Sequence, residues 1–331
     1  MCGKDAPYFI NNYCRISHPM KGLIQFKTYP YQDDLLHDYN DFRFNVILKA
    51  RQLGISTITA AYCVWFILFH KEKNIVVLAT KFSTAANLVK KVKSMMKNLP
   101  DWLKLAQIDV DNRTSFELSN GSIIKAVPTS EDAGRSEALS LLVVDEAAHI
   151  EKMDDIWTAV YSTLATGGRC IALSTPKGTG NWFHKTYIDA VDGENEFNPI
   201  ELMWDVHPER DQAWFEKETK NMSKRQIAQE LLCNFNTSGD TVIHPDDLVW
   251  VNANIKDPIY RTGYDRNFWI WEKFSPDNQY LLTADVARGD GADNSVFHVL
   301  KLNTMEVIAE YQGKPSLDMY ARILYDAGVE F

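Results

Sequence analysis

Short, mainly apolar runs alternate along this chain with longer stretches of helical periodicity. Phe44 to Leu48 (FNVIL), Asn74 to Ala79 (NIVVLA), Leu139 to Val144 and Cys170 to Leu173 have strand length and no polar alternation. Such runs predict strands buried on both faces of a sheet. The stretch after Gly54, with its apolar body AAYCVWFILF, predicts a buried helix. Ser83 to Asn98 predicts an amphipathic helix bearing Lys90, Lys91, Lys93 and Lys97. Ser115 to Val127 predicts two short strands around the turn Asn120-Gly121. Strands alternating with helices imply a mainly parallel α/β sheet, which binds ligands at the carboxyl ends of its strands.

The pattern changes further on. From about Trp214 to Leu232 it is helical and charged, and Asn234 to Asp240 (NFNTSGD) breaks it. Pro258 to Gln279 reads as irregular and aromatic. Tyr280 to Ala284 predicts a strand ending at Asp285, with Ser295 to Leu302 as its hairpin partner. These shifts predict a first domain over 1–237, closed by a helical segment over about 195–237, a linker over 238–264, and a second domain over 265–331.

Composition narrows the classes. With 331 residues, 45% of them apolar, the chain can bury a sizeable core in two domains. A formal net charge of -9 argues against a protein that coats nucleic acid by bulk charge, so any DNA contact uses local patches or is transient. The five cysteines, at 2, 14, 63, 170 and 233, form no CxxC pair. That argues against a zinc ribbon or a disulfide scaffold and for a reducing cytosol. The opening MCGKDAPYF is not a signal peptide, and the run Ile58 to Phe69 is too short to span a bilayer, so no membrane partner is expected.

The candidate chemistry lies at three predicted strand ends. ILKARQLGISTITA (47–60) has the outline of a phosphate loop: an apolar approach, a polar turn, Gly54, then Ser56-Thr57 opening a helix. The usual lysine before Ser56 is replaced by Ile55, and the usual first glycine by Lys49. Backbone N–H groups and a helix N-terminus still suit phosphate. A side-chain cation must come from Arg51 or Lys49, and Arg51 is favoured because a guanidinium bridges two oxygens. Leu141 to Glu146 (LLVVDE) buries a strand and presents Asp145 to hold Mg²⁺ and Glu146 to polarise water. Ser174-Thr175-Pro176 follows another strand. Taken singly, these are also a capped turn, a solvated acid and an ordinary turn. Their order favours a nucleotide site.

Together these residues resemble the large terminase subunit of tailed bacteriophages, in its T4-like branch. ARQLGIST (50–57) resembles that family's Walker A, with Arg51 matching its early arginine and Ile55 departing from its lysine. LLVVDEAAHI (141–150) is similar to its Walker B with the catalytic Glu146, and Ser174-Thr175 to its coupling motif. YPYQ (29–32) resembles the adenine-recognising Q motif, which implies an amide of Gln32 on the adenine edge and Tyr31 or Tyr29 near the ring. The resemblance further implies ATP on Lys49, Arg51, Gln52, Gly54, Ser56, Thr57 and Asp145, with Mg²⁺ on Ser56 and Asp145. Arg135 matches an arginine acting on a neighbouring subunit's ATP. WDVHPER (204–210) and QELLCNF (229–235) resemble the segment closing the ATPase domain.

The fold implied is a P-loop (RecA/ASCE-like) ATPase domain followed by the start of an RNase H-like nuclease domain. In that nuclease Asp285 and Asp293 match metal acids for Mg²⁺ or Mn²⁺, with Asp290 a further candidate, and the chain reads as truncated within it. The function implied is ATP-driven translocation of double-stranded DNA into a procapsid in the host cytoplasm. The implied partners are a portal protein and a small terminase subunit. The chain would be a monomer in solution and a homo-oligomeric ring when packaging. A superfamily 2 helicase or restriction translocase is the alternative, and would show a second RecA-like domain. A nucleotide-binding scaffold inactivated at Ile55 would lack ATP turnover.

Overall fold

A computed structural model describes residues 1–18, 20–129, 138–238, 250–251, 253–263, 266–287 and 293–331. The chain divides into two units, Met1–Val242 and Ile243–Phe331.

The first unit is built on an eight-stranded sheet. Its strands are β3 (Phe44–Lys49), β4 (Asn74–Ala79), β5 (Ile108–Asp111), β6 (Ser115–Leu118), β7 (Ile123–Ala126), β8 (Leu141–Asp145), β9 (Arg169–Ser174) and β10 (Phe197–Leu202), in the order β10-β3-β9-β8-β4-β7-β6-β5. The pairs from β10 through β7 are parallel, and β6 and β5 add an antiparallel edge. Every residue of β8 and nearly all of β3, β4 and β9 are buried, as their unbroken apolar runs require. A separate hairpin, β1 (Arg15–His18) with β2 (Gly22–Gln25), lies near the N-terminus.

Helices cover this sheet. Helix α1 (Ala6–Tyr13) packs on α3 (Ile55–Phe69), which buries 12 residues. Its neighbour α4 (Phe82–Lys97) buries Ala85, Leu88, Val89, Val92, Met95 and Met96 at three- and four-residue spacing. Helices α5 (Met153–Tyr161) and α6 (Trp182–Val191) follow β8 and β9. These strands lead on in the direction opposite to β3, so right-handed crossovers set α5 and α6 on the other face.

Two local expectations need correcting, and the helical reading of 214–232 gains detail. Lys49 is the last residue of β3, not part of the turn. Residues 214–232 split into α7 (Gln212–Thr219) and α8 (Lys224–Glu230), because Ser223 caps α8 through a capping box with Gln226. Phe235–Ser238 forms a further helical turn where a break was expected, with Phe235 packed on Tyr187.

The second unit is a five-stranded sheet, order β11-β12-β15-β14-β13. It comprises β11 (Tyr260–Thr262), β12 (Phe268–Ile270), β13 (Tyr280–Asp285), β14 (Ser295–Lys301) and β15 (Glu306–Gly313), and every described pair is antiparallel. The aromatic stretch 258–279, expected to be irregular, therefore contributes two strands. A C-terminal helix, Leu317–Glu330, packs Tyr320 and Ala327 into a core with Phe297, Val299, Ala309 and Tyr311. The Tyr320 hydroxyl is within hydrogen-bond reach of the carbonyls of Val296 at 2.6 Å and Asp285 at 3.1 Å.

Candidate functional site

Strands β3, β9 and β8 are consecutive neighbours in the sheet. Their register sets Ser174 beside Leu48 and Asp145 beside Leu173. The turn after β3, the Asp145-Glu146 pair and Ser174-Thr175 therefore emerge together at one sheet edge, a few strand spacings apart.

The turn itself is braced from several directions. Gly54 caps α3 with φ 75 and ψ 11, a left-handed conformation that suits glycine. An added Cβ there would also lie 2.8 Å from the Gln32 amide nitrogen. Gln52 is left-handed too, at φ 58. The Ala50 N–H donates to the Leu202 carbonyl at the end of β10, and the Arg51 N–H to the Glu230 carbonyl, both at 2.7 Å. The Arg210 guanidinium, stacked on Trp214, donates to the Arg51 carbonyl at 3.2 Å and the Gln52 carbonyl at 3.0 Å. Burial lowers the pKa of Arg210.

Gln32 is engaged within the fold. It sits at the third position of helix α2 (Pro30–Asp41) and is 2% exposed. Its amide oxygen accepts the Tyr29 N–H at 3.2 Å, and its amide nitrogen donates to the Leu53 carbonyl at 2.9 Å. The Tyr31 hydroxyl donates to the same carbonyl at 2.8 Å. Both ends of the amide that was expected on an adenine edge are therefore engaged with the chain's own backbone. Tyr29 lies against His207, ring centroids 4.4 Å apart.

The acids differ in setting. Asp145 is 6% exposed. Desolvation raises its pKa, against the opposing effects of Lys49 and a hydrogen bond with Ser56. The Asp145 carboxylate also accepts the Glu146 N–H at 3.0 Å. Glu146 is exposed and left-handed, at φ 57 and ψ 40, so its side chain leaves the strand axis at the tip. Such a conformation in a non-glycine residue costs on the order of 1 kcal/mol and recurs at functional sites.

The cations are distributed unevenly. Ile55 is buried at 2%. Lys49 is half-buried. Arg51 pairs with Glu230 at 3.3 Å with 67% of its side chain exposed. A lysine not singled out from the sequence, Lys91 on α4, donates to the Thr57 hydroxyl at 3.0 Å. It is exposed, yet desolvation lowers its pKa more than Asp145 raises it.

The β8 and β9 ends are bolted together. The Ala148 N–H donates to the buried Ser174 hydroxyl at 3.1 Å, and His149 Nε2 lies 3.3 Å from the Thr175 hydroxyl. The pKa of His149 is lowered by burial and then by Lys177, which favours the neutral ring. A pocket of 330 Å³ beside it is lined by residues including Lys177, Asn181 and Trp182. Glu230, Arg210 and His149 lie in segments quoted above for their resemblance but were given no role of their own, and nothing in the periodicity marks them.

Arg135 and Asp290 lie outside the described residues. Asp285 ends β13 as expected, but it is exposed and not at a buried strand end, because β13 is an edge strand whose described partner is β14. Asp293 is exposed. Among the described residues no three His, Cys, Asp or Glu side chains group to hold a metal. No helix among them is long and apolar enough to cross a membrane.

Known structures share this architecture. The ATPase domain of the Thermus phage P74-26 large terminase is 20% identical, with TM-score 0.54, over 63% of this chain and 94% of that one. The large terminase of a thermophilic bacteriophage, solved in complex with ADP, is 12% identical, with TM-score 0.53, over 92% of this chain and 75% of that one. The HK97 bacteriophage large terminase is 16% identical, with TM-score 0.53, over 90% of this chain and 64% of that one. These likenesses establish an α/β P-loop fold with a large, mostly parallel sheet. Residues 46–249 match the family described as terminase large subunit, T4likevirus-type, N-terminal. The chain belongs to that family of terminase large subunits.

Proposed function

We propose that the chain is the ATP-hydrolysing subunit of a viral DNA-packaging motor. The observation that carries this reading is the strand register, which brings the turn after β3, the Asp145-Glu146 pair and Ser174-Thr175 out at one sheet edge. The residues fit a nucleotide and its metal. The helix N-terminus with its glycine cap offers N–H groups to phosphate, and Ser56 and Asp145 supply hard oxygen ligands. Mg²⁺ held there would neutralise charge on the β- and γ-phosphates.

Within that reading Glu146, exposed at the strand tip, orients and deprotonates the attacking water. Ser174 and Thr175, tied to Ala148 and His149, sense the state of the acid turn and pass it to β9. Arg51 is held by an exposed ion pair, which is weak, so it can leave Glu230 for phosphate. The large terminase of the thermophilic bacteriophage was solved with ADP and with ATP-gamma-S, which supports the same ligand class here. Double-stranded DNA, a portal protein, a small terminase subunit and a packaging ring in the host cytoplasm follow from family membership as parts of this proposal. So does an RNase H-like nuclease in the second unit, with Asp285 and Asp293 among its Mg²⁺ or Mn²⁺ acids. A helicase reading would require a second parallel RecA-like sheet, whereas the described pairs of the second unit are antiparallel.

Phosphate release from ATP by the purified chain tests the reading. Glu146→Gln should retain nucleotide affinity while turnover falls by ~10²-fold or more. Wild-type chain that binds nucleotide without turnover would instead favour the inactive scaffold.

A further inference from the structure

Helix α3 begins at Ile55, so the position that usually carries the loop lysine is apolar and buried at 2%. The cation inside the turn, Arg51, is turned toward α8 and paired with Glu230. Lys91 approaches from a different element. It lies on α4, which packs on α3, and its ammonium donates to the Thr57 hydroxyl at 3.0 Å. Thr57 is in the first turn of α3.

A helix N-terminus carries a positive partial charge, so an ammonium there has the wrong sign for its surroundings. Hydrogen bonding to one hydroxyl repays this poorly, and the anion acting on Lys91 is the mostly buried Asp145. An arrangement of two positive ends around one acid becomes favourable when polyanionic phosphate joins it.

We propose that Lys91, reaching from α4 to the first turn of α3, is the phosphate-contacting cation of this chain and takes the place left apolar by Ile55. The proposal rests on the nucleotide reading of the site. Lys91 binds phosphate oxygens directly, in exchange for its bond to Thr57, and the loop backbone supplies the remaining donors. Lys90, its exposed neighbour on α4, has no such destination and serves as the control.

The test is a titration of the purified full chain with fluorescent analogues of ATP and ADP in the presence of Mg²⁺. Lys91→Met keeps the apolar stem and should weaken both affinities by about tenfold to a hundredfold, the usual range for one hydrogen bond to a charged group. Lys91→Arg should restore most of the loss, and Lys90→Met should bind like the wild type. Lys91 is exposed, so the variants should unfold at the wild-type temperature, which separates a binding defect from a folding one. Wild-type affinity in Lys91→Met, with the wild type binding tightly, overturns the role of Lys91 and leaves the nucleotide site standing. Loss of affinity in Lys91→Met that Lys91→Arg does not relieve points to packing and also overturns it. A wild-type chain that binds neither analogue overturns the nucleotide reading and this proposal with it.

Discussion

Replacing Gln32 by leucine separates two roles that the same residue could have. In the structure its amide oxygen accepts the Tyr29 N–H and its amide nitrogen donates to the Leu53 carbonyl, all within a site 2% exposed. Leucine fills similar volume but makes neither bond. The Tyr29 N–H loses its partner, whereas the Leu53 carbonyl keeps the Tyr31 hydroxyl at 2.8 Å. One orphaned donor and one weakened acceptor should cost about 2 kcal/mol. For a unit of this size that is a fall in Tm of roughly 4–8 °C, read by circular dichroism. The turn it braces is the phosphate turn, so affinities for ATP and GTP should fall by similar factors. Tyr31→Phe, which removes the other bond to the Leu53 carbonyl, should show a smaller loss of the same kind. If Gln32→Leu instead unfolds at the wild-type temperature and loses only the preference for ATP over GTP, the amide reads the base and the bracing argument is wrong.

Two further substitutions probe the scaffold. Gly54→Ala should destabilise by about 1–2 kcal/mol, the usual left-handed penalty, with nucleotide affinity falling because the added Cβ meets Gln32 at 2.8 Å; Gly54→Asn should be milder in stability, and equal Tm values for all three would contradict the requirement for a left-handed cap. Lys93 is buried at 8%, paired with Asp111 at 2.8 Å and hydrogen-bonded to the Asn112 carbonyl, so Asp111→Asn should destabilise more than Lys93→Met, since only the former leaves a buried ammonium without its carboxylate. Hydrogen bonds from Lys93 and Lys97 hold the Asp111 carboxyl below its ordinary pKa, so its contribution is full above that value and lost as pH falls through the depressed one. Urea unfolding from neutral to acid pH should therefore show a flatter acid limb in Asp111→Asn, and identical limbs would remove the linkage.

The sheet was legible because parallel strands buried on both faces have an unmistakable composition. FNVIL, NIVVLA and the apolar run before Asp145 became β3, β4 and β8 nearly to the residue. Edge elements were less legible. The strand β10 alternates polar and apolar residues and contains Pro199, which an edge position tolerates, so no buried run announced it. In the site, the acids and the turn were visible as strand-end chemistry. Lys91 was one of several lysines on an amphipathic helix, and periodicity cannot say which flank of that helix faces a neighbouring turn. Gln32 was visible by type but not by partner, because the Leu53 carbonyl it holds is brought to it only by the fold.

The turn after β3 is completed by residues far along the chain: Leu202 and Glu230 accept its N–H groups, and Arg210 clasps its carbonyls. β3 itself pairs on both sides with strands from the far half of the unit, β9 and β10. During synthesis the ribosome therefore releases ILKARQLGIST when only Tyr31 and Gln32 among its braces already exist. A nascent chain must wait roughly 180 residues, on the order of 10–40 s at ordinary elongation rates, before this turn can close. Until Glu230 emerges, the exposed β3 run has no lasting neighbour, and closing such distant pairings is slow. Competence to bind nucleotide is thus a late event of biosynthesis, and a ribosome stalled before residue 200 would display the phosphate sequence without the phosphate site.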